Sequence, residues 1–116
     1  MPRDSVPAGT VAYLGEPAVE PVELLAAIAR ATDGLSAVRT LSRCWAQFGN
    51  EPPGLVVGVQ LEPDTPQVRA AVAESIGSVW STLQPGYAVD IAFDGDGGSV
   101  TTWMRKNVNP FHRAHA

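Results

Sequence analysis

The sequence contains a single cysteine, no long apolar run and no acidic residue after Asp96. With only Cys44, no disulfide can form within the chain, which is typical of proteins from a reducing compartment. Because no run of about 18 apolar residues occurs, no transmembrane helix is predicted. The first residues lack the apolar core of a signal peptide. We therefore expect a cytoplasmic protein without a membrane partner.

The charges are unevenly distributed along the chain. The net charge of −4 argues against a nucleic-acid partner, because neutralising phosphates requires clustered Lys and Arg. All 12 acidic residues lie in residues 1–96, whereas residues 97–116 carry Arg105, Lys106 and Arg113. This basic end has three alternative interpretations: it docks on an acidic partner, it docks on the acidic part of the same chain, or it is a solvated tail. The solvated tail is the simplest interpretation.

Apolar periodicity and turn residues predict seven elements after a flexible leader at residues 1–9. Two stretches have helical spacing. One begins at Pro21 and stops at Asp33-Gly34, and the other begins at Pro66 and stops at Pro85-Gly86. The strands are predicted at residues 10–14, 38–48, 55–61, 87–93 and 99–107.

The order of these elements predicts the fold class. The first six follow the βαββαβ order of ferredoxin-like domains, and residues 99–107 add an extra C-terminal strand. Since each helix has one apolar face, we expect an α+β two-layer sandwich with both helices on one face of a mostly antiparallel sheet. Residues 10–116 then form a single domain, and the other face of the sheet is open.

The stretch DGDGGS, residues 94–99, raises the question of a calcium loop. An EF-hand loop that began at Asp94 would have Gly98 at its fifth position and Arg105 at its twelfth, where calcium needs carboxylates. Two acids among glycines between two strands are typical of a hairpin turn. We therefore predict a hairpin turn and no metal site.

Other catalytic and cofactor motifs are weak in this sequence. No Gly-rich loop follows a strand and opens a helix in the predicted order, so no phosphate site is expected. His112 and His115 lie close together, but too few nitrogen and sulfur ligands accompany them for zinc. Cys44 lies within an apolar strand, which favours a buried, inert thiol over a nucleophile. We expect no catalytic residues, no cofactor and no enzymatic activity.

A few charged and aromatic residues are candidates for binding. Asp90 alternates with alanines and is expected on the open sheet face, where Arg39 and Arg43 have matching parity. An Asp–Arg pair across the sheet is the simpler interpretation, and a ligand site is the alternative. Trp103 and Arg105 share one face of the predicted last strand, a composition typical of an interface.

Several segments together resemble the C-terminal domain of the enhanced serine sensitivity protein B (SseB) family. They are LGEPAVEPVELLAAI, RTLSRCWAQF, EPPGLVVGVQLEP, YAVDIAF and KNVNPFHR, and they span nearly the whole chain. The last segment resembles the Pro-Phe-Tyr ending of the family, with His112 in the place of the aromatic residue. The family takes its name from altered tolerance to serine, and the resemblance implies no reaction and no catalytic residues.

Two functional hypotheses follow from the sequence. The first is a non-catalytic interaction domain with a regulatory role in bacterial metabolism, which forms a homodimer or binds an unknown protein partner through Trp103 and Arg105. The second is a sensor in which Asp90, Arg39 and Arg43 hold an amino-acid-like zwitterion, since a carboxylate suits Arg and an amino group needs a carboxylate. An enzyme ranks last.

Overall fold

A computed structural model describes residues 11–114, so the predicted leader at residues 1–9 lies outside the described residues. The strands are β1 (Val11–Gly15), β2 (Val38–Phe48), β3 (Gly54–Leu61), β4 (Val89–Phe93) and β5 (His112–Arg113). The helices are α1 (Val22–Thr32), α2 (Pro66–Leu83) and α3 (Ser99–Asn107). The α+β class and the first six elements of the chain order are as predicted.

The strands form one mixed sheet in the order β1-β2-β3-β4. β2 pairs antiparallel with β1, β3 and β5, whereas β3 and β4 run parallel and are joined by α2. Antiparallel pairs therefore dominate, as predicted. The ferredoxin-like arrangement is not confirmed, because strands that follow one another in the chain are direct neighbours in this sheet, whereas that fold splits its βαβ units.

Helices α1 and α2 cover one face of the sheet, as the apolar spacing predicts. At the start of α2, the Oγ1 atom of Thr65 accepts a hydrogen bond of 3.2 Å from the backbone N–H of Val68, and Pro66 occupies the first helical position. The core on this face combines residues of both helices with alternate residues of β2, β3 and β4. Its fully buried members include Ile28, Leu41, Leu55, Val57, Val72, Ile76, Val89 and Ile91.

The predicted last strand at residues 99–107 is wrong, because these residues form α3. The β-branched residues Val100, Thr101 and Thr102 favour a strand locally, but this propensity is weak and tertiary contacts override it. In the helix, Val100 and Met104 are four residues apart and therefore lie on one face, where both are buried. Burial of this face favours the helix.

The prediction of an open sheet face is also wrong, because α3 packs on the side opposite to α1 and α2. Val100 and Met104 form a second core with strand residues of the other parity: Cys44, Ala46, Phe48, Val56 and Ala92. The sheet is thus covered by helices on both faces. The structure has a partial third layer, formed by α3, that the predicted two-layer sandwich lacks.

The segment between β4 and α3 is a turn into a helix rather than a hairpin. Asp94–Asp96 form a short 3-10 turn, and Gly97 follows with φ of 64°, a left-handed conformation that glycine adopts without strain. Gly98 then caps α3. The hairpin prediction was wrong because it depended on the predicted strand at residues 99–107.

Candidate functional site

A cleft of about 310 Å³ lies on the α3 side of the sheet, and we call it the α3 cleft. Strands β2 and β3 form its floor, α3 forms one wall, and the segment after α3 forms the other. The lining residues are Thr40, Ser42, Gly58, Val59, Gln60, Asp94, Thr101, Met104, Arg105, Val108, Asn109, Pro110 and Arg113.

The floor of the α3 cleft mixes apolar and hydrogen-bonding groups. Gly58 leaves room for the Cε atom of Met104, which would lie 2.7 Å from a Cβ atom at that position. On the neighbouring strand, the hydroxyl of Thr40 donates a hydrogen bond of 3.2 Å to Oε1 of Gln60. Ser42 lies beside Gly58 in the register of β2 and β3. A polar ligand would therefore meet hydroxyl and amide groups on an otherwise close-packed surface.

Charged groups also line the α3 cleft. Arg105 on α3 forms an ion pair with Asp94, the first residue after β4. Arg113 on β5 also lines the cleft. Because β3 and β4 are parallel, their carboxyl ends lie at the same edge of the sheet, and Gln60 and Asp94 come from these ends. In open α/β sheets, ligands commonly bind at this edge.

A second arginine holds the turn that carries Asp94. Arg69 on α2 donates two hydrogen bonds to Asp64, of 2.7 and 2.8 Å, and one of 2.9 Å to Asp96. Its guanidinium carbon lies 4.6 Å from the centre of the Phe93 ring, a cation–π distance. The hydrogen bonds from Arg69 hold the pKa of Asp64 below its usual range. The turn beside the α3 cleft is therefore tied to both α2 and α3.

The predicted Asp90–Arg43 pairing is wrong, because the two residues lie on opposite faces of the sheet. Arg43 lies in register with Val57, on the side of α1 and α2. Its guanidinium donates hydrogen bonds of 2.6 and 2.7 Å to Glu20, and these hold the pKa of Glu20 below its usual range. Asp90 lies in register with Val56 on the opposite side, is 4% exposed and does not line the α3 cleft.

Arg39 is also separated from the other predicted site residues. The pairing register of β2 shifts between Val38 and Thr40, so the strict alternation assumed from the sequence fails at this position. Arg39 is exposed and its backbone carbonyl accepts a hydrogen bond of 2.8 Å from the N–H of Ala114. The three residues predicted to hold a zwitterion, Asp90, Arg39 and Arg43, therefore form no common site.

Trp103 and Arg105 do not share a face, which corrects the predicted interface. Two residues apart in a helix, they point in different directions, whereas in a strand they would align. Trp103 is half-buried against the core that α3 forms with the sheet, and Arg105 is exposed and paired with Asp94. Of the predicted site residues, Arg105 is the one that lines the α3 cleft.

Cys44 is buried, as predicted. Its exposure is 0%, and burial raises the pKa of its thiol to about 12. His112, at the start of the short strand β5, pairs with Leu41, while Phe111 packs against the core on the α1 side. A thiol with so high a pKa is a poor nucleophile at neutral pH.

Exposed apolar side chains also occur in β1, at the start of α1 and in the connection between them. Tyr13, Val19 and Val22 are 54%, 82% and 66% exposed. A groove of about 300 Å³ begins at Val22 and is bordered by Phe111 and by the ion pair of Arg43 with Glu20. Exposed apolar side chains mark a contact surface where they form a contiguous patch.

Comparison with known proteins identifies the family. The family model described as the SseB protein C-terminal domain matches residues 6–113, which is nearly the whole chain. No curated protein and no solved structure matches the chain. Between residues 11 and 114, no helix has the length and apolarity needed to cross a membrane. Within the same stretch, His, Cys, Asp and Glu side chains form no group of three or more suited to a metal ion.

Proposed function

The chain belongs to the SseB protein C-terminal domain family, and from that premise we propose that it is a non-catalytic regulatory domain that binds a small polar ligand in the α3 cleft. The observation that carries this proposal is the composition of the cleft. An ion pair, a further arginine and several hydroxyl and amide groups line one concavity at the carboxyl ends of two parallel strands.

The proposal keeps the small ligand predicted from the sequence and moves its site. The sequence placed the ligand at Asp90, Arg39 and Arg43. The proposed site instead contains Asp94, Arg105 and Arg113, which line one cleft. The buried Cys44 supports a non-catalytic role, because its raised pKa leaves almost no thiolate at neutral pH. The lone cysteine also supports a cytoplasmic location.

Amide chemical-shift mapping tests the proposal. The ¹⁵N-labelled protein is titrated with a panel of neutral, cationic and anionic compounds of low molecular mass. We expect at least one compound to shift the amides of Ser42, Gly58 and Thr101 saturably. Gln60→Trp, which fills the cleft, should abolish these shifts, whereas Gln67→Trp places the same bulk on the exposed start of α2 and should leave them unchanged. A panel without any cleft ligand contradicts the proposal, as does equal binding by Gln60→Trp.

Self-association is a second candidate, favoured by the exposed side chains of Tyr13, Val19 and Val22. In the part of the chain that the structure describes, β1 pairs with β2 alone, so its outer edge is open to a strand of a second copy. Antiparallel pairing of two β1 strands would give the two-fold symmetry typical of homodimers. This surface replaces the predicted sheet-face interface of Trp103 and Arg105.

Sedimentation velocity over the micromolar range tests this second candidate. We expect wild-type dimers and a monomeric Tyr13→Lys variant, since a lysine on an edge strand opposes strand pairing. Leu83→Lys changes an exposed apolar residue at the end of α2 and is the control. A monomeric wild type contradicts the homodimer and leaves the α3 cleft proposal standing.

A further inference from the structure

We infer that the α3 cleft selects a small molecule with a single negative charge, whose carboxylate is bound by Arg113. The inference rests on the proposed function and specifies the ligand class of the same cleft. Its basis is the difference between the two arginines that line the cleft: one already has an acidic partner, and the other has none among the described residues.

The charges of the α3 cleft do not cancel. Asp94 and Arg105 form an ion pair and neutralise each other. Arg113 forms no ion pair with any carboxylate between residues 11 and 114. Among the described residues, one positive charge of the cleft therefore has no ion-pair partner, and a singly charged anion would balance it.

The guanidinium of Arg113 is suited to a carboxylate. Its planar fork of N–H donors matches the two carboxylate oxygens, and such charge-assisted hydrogen bonds are stronger than neutral ones. The backbone of β5 is fixed beside β2 by its pairing with Thr40 and Leu41, so the side chain starts from a rigid position. The side-chain amide of Asn109 and the hydroxyl of Ser42 also line the cleft and can bind a polar group at the other end of the ligand.

The size of the cleft limits the ligand. A volume of about 310 Å³ lies at the lower end of the range for small-molecule sites, which is about 300–1,000 Å³. Apolar contacts are available from Val59, Met104 and Val108. A short carboxylic acid that also carries a hydroxyl group combines these requirements.

An amino-acid zwitterion is a poorer match than a monoanion. Its ammonium group would need a carboxylate, and Asp94 is the one acidic residue among the lining residues. Arg105 already holds Asp94, so a zwitterion would have to break this ion pair or leave its ammonium group without an acidic partner. A zwitterion has no net charge, so it would also leave the net positive charge of the described lining residues unbalanced.

Three compounds of nearly the same shape separate these possibilities. Lactate carries one negative charge, alanine is its zwitterionic counterpart with an ammonium group in place of the hydroxyl, and 1-amino-2-propanol is cationic. In amide-detected titrations of the whole chain at low ionic strength, we expect lactate to bind at least about tenfold more tightly than alanine. The cationic compound should cause no saturable shift in the cleft.

Variants assign the charge to a residue. Arg113→Gln removes the guanidinium and keeps a side chain of similar length, and it should weaken lactate binding by about tenfold or more. Arg30→Gln makes the same change on the exposed face of α1 and should have no effect. Amide shifts remote from the cleft show whether each variant keeps its fold.

Each adverse result has a distinct meaning. Equal or tighter binding of alanine contradicts the monoanionic ligand. Unchanged lactate binding by Arg113→Gln contradicts the role of that residue. If neutral compounds bind in the cleft and lactate does not, the inferred ligand class is wrong and the proposed function stands. If no compound of either panel shifts the cleft amides, both are wrong.

Discussion

The Cε atom of Met104 occupies the space above Gly58, where an added Cβ atom would lie 2.7 Å from it. Glycine at this position therefore allows α3 to approach β3 closely. The contact closes the sheet face that the sequence predicts to be open, and it also forms part of the floor of the α3 cleft. Packing of α3 and the shape of the candidate site thus depend on the same pair of residues.

Met104→Ala is predicted to destabilise the protein substantially. The side chain is 2% exposed and belongs to the core between α3 and the sheet, so its truncation leaves a cavity. We expect a loss of about 2–5 kcal/mol in the free energy of unfolding. Urea denaturation followed by fluorescence measures it. Lys106→Ala, on the exposed side of the same helix, is the control and should change stability by less than about 0.5 kcal/mol. Equal effects of the two substitutions would show that α3 does not pack on the sheet.

The sequence predicts the elements whose local and tertiary signals agree. β2 occupies the predicted residues, and α2 begins at Pro66 after its Thr65 cap. The prediction fails for residues 99–107. Their β-branched residues favour a strand, but a helix buries Val100 and Met104 together on one face, and this burial stabilises the helix. That single error also produced the predicted hairpin, the open sheet face and the shared face of Trp103 and Arg105.

Stability should depend on pH through Arg69 and its carboxylate partners. Hydrogen bonds from Arg69 lower the pKa of Asp64 in the folded state. A lowered folded-state pKa means that the stabilisation is present above the ordinary aspartate pKa of about 4 and is lost as pH falls below it. Arg69→Gln should therefore cost about 1 kcal/mol at neutral pH, because the network is partly exposed, and less in acid.

Urea denaturation of wild type and Arg69→Gln at about pH 7 and about pH 3 measures this dependence. The difference between the two proteins should shrink at the lower pH. Arg30→Gln serves as the control, because Arg30 lies exposed on α1 and takes no part in this network. A difference that is the same at both pH values would mean that Arg69 stabilises the fold through its contact with Phe93 rather than through the carboxylates.

Cys44 is predicted to react slowly in the native protein. Its thiol is fully buried, and burial raises its pKa to about 12, so both access and thiolate formation are suppressed. Thiol labelling at neutral pH, compared between native and urea-denatured protein, should be at least about a hundredfold slower in the native state. Equal rates would require an accessible thiol and would revive a catalytic interpretation.

The candidate site was less predictable than the fold, and the reason lies in sequence distance. The α3 cleft joins Thr40 and Gln60, on neighbouring strands, to Arg105 and Arg113 near the chain end. The alternation of apolar and polar residues within one strand shows which residues of that strand share a face. It cannot show that residues far apart in the sequence line the same cleft. One signal was available: the basic residues without acids at the end of the chain, for which docking on the acidic part of the same chain was one alternative. The Arg105–Asp94 ion pair is such a contact.

Trp103→Ala is predicted to lower stability and to leave association unchanged. In a strand, Trp103 would have been an exposed anchor for a partner; in α3 it is half-buried against the core that contains Val100 and Met104. Truncation removes these contacts, and we expect a loss of about 1–3 kcal/mol in the free energy of unfolding. Urea denaturation and sedimentation velocity on the same samples separate the two roles. Thr102→Ala, at the neighbouring position of α3, is the control, since its side chain contributes only a hydroxyl that donates to the carbonyl of Gly98. A Trp103→Ala variant with wild-type stability and weakened self-association would restore Trp103 as an interface residue and contradict its packing against the sheet.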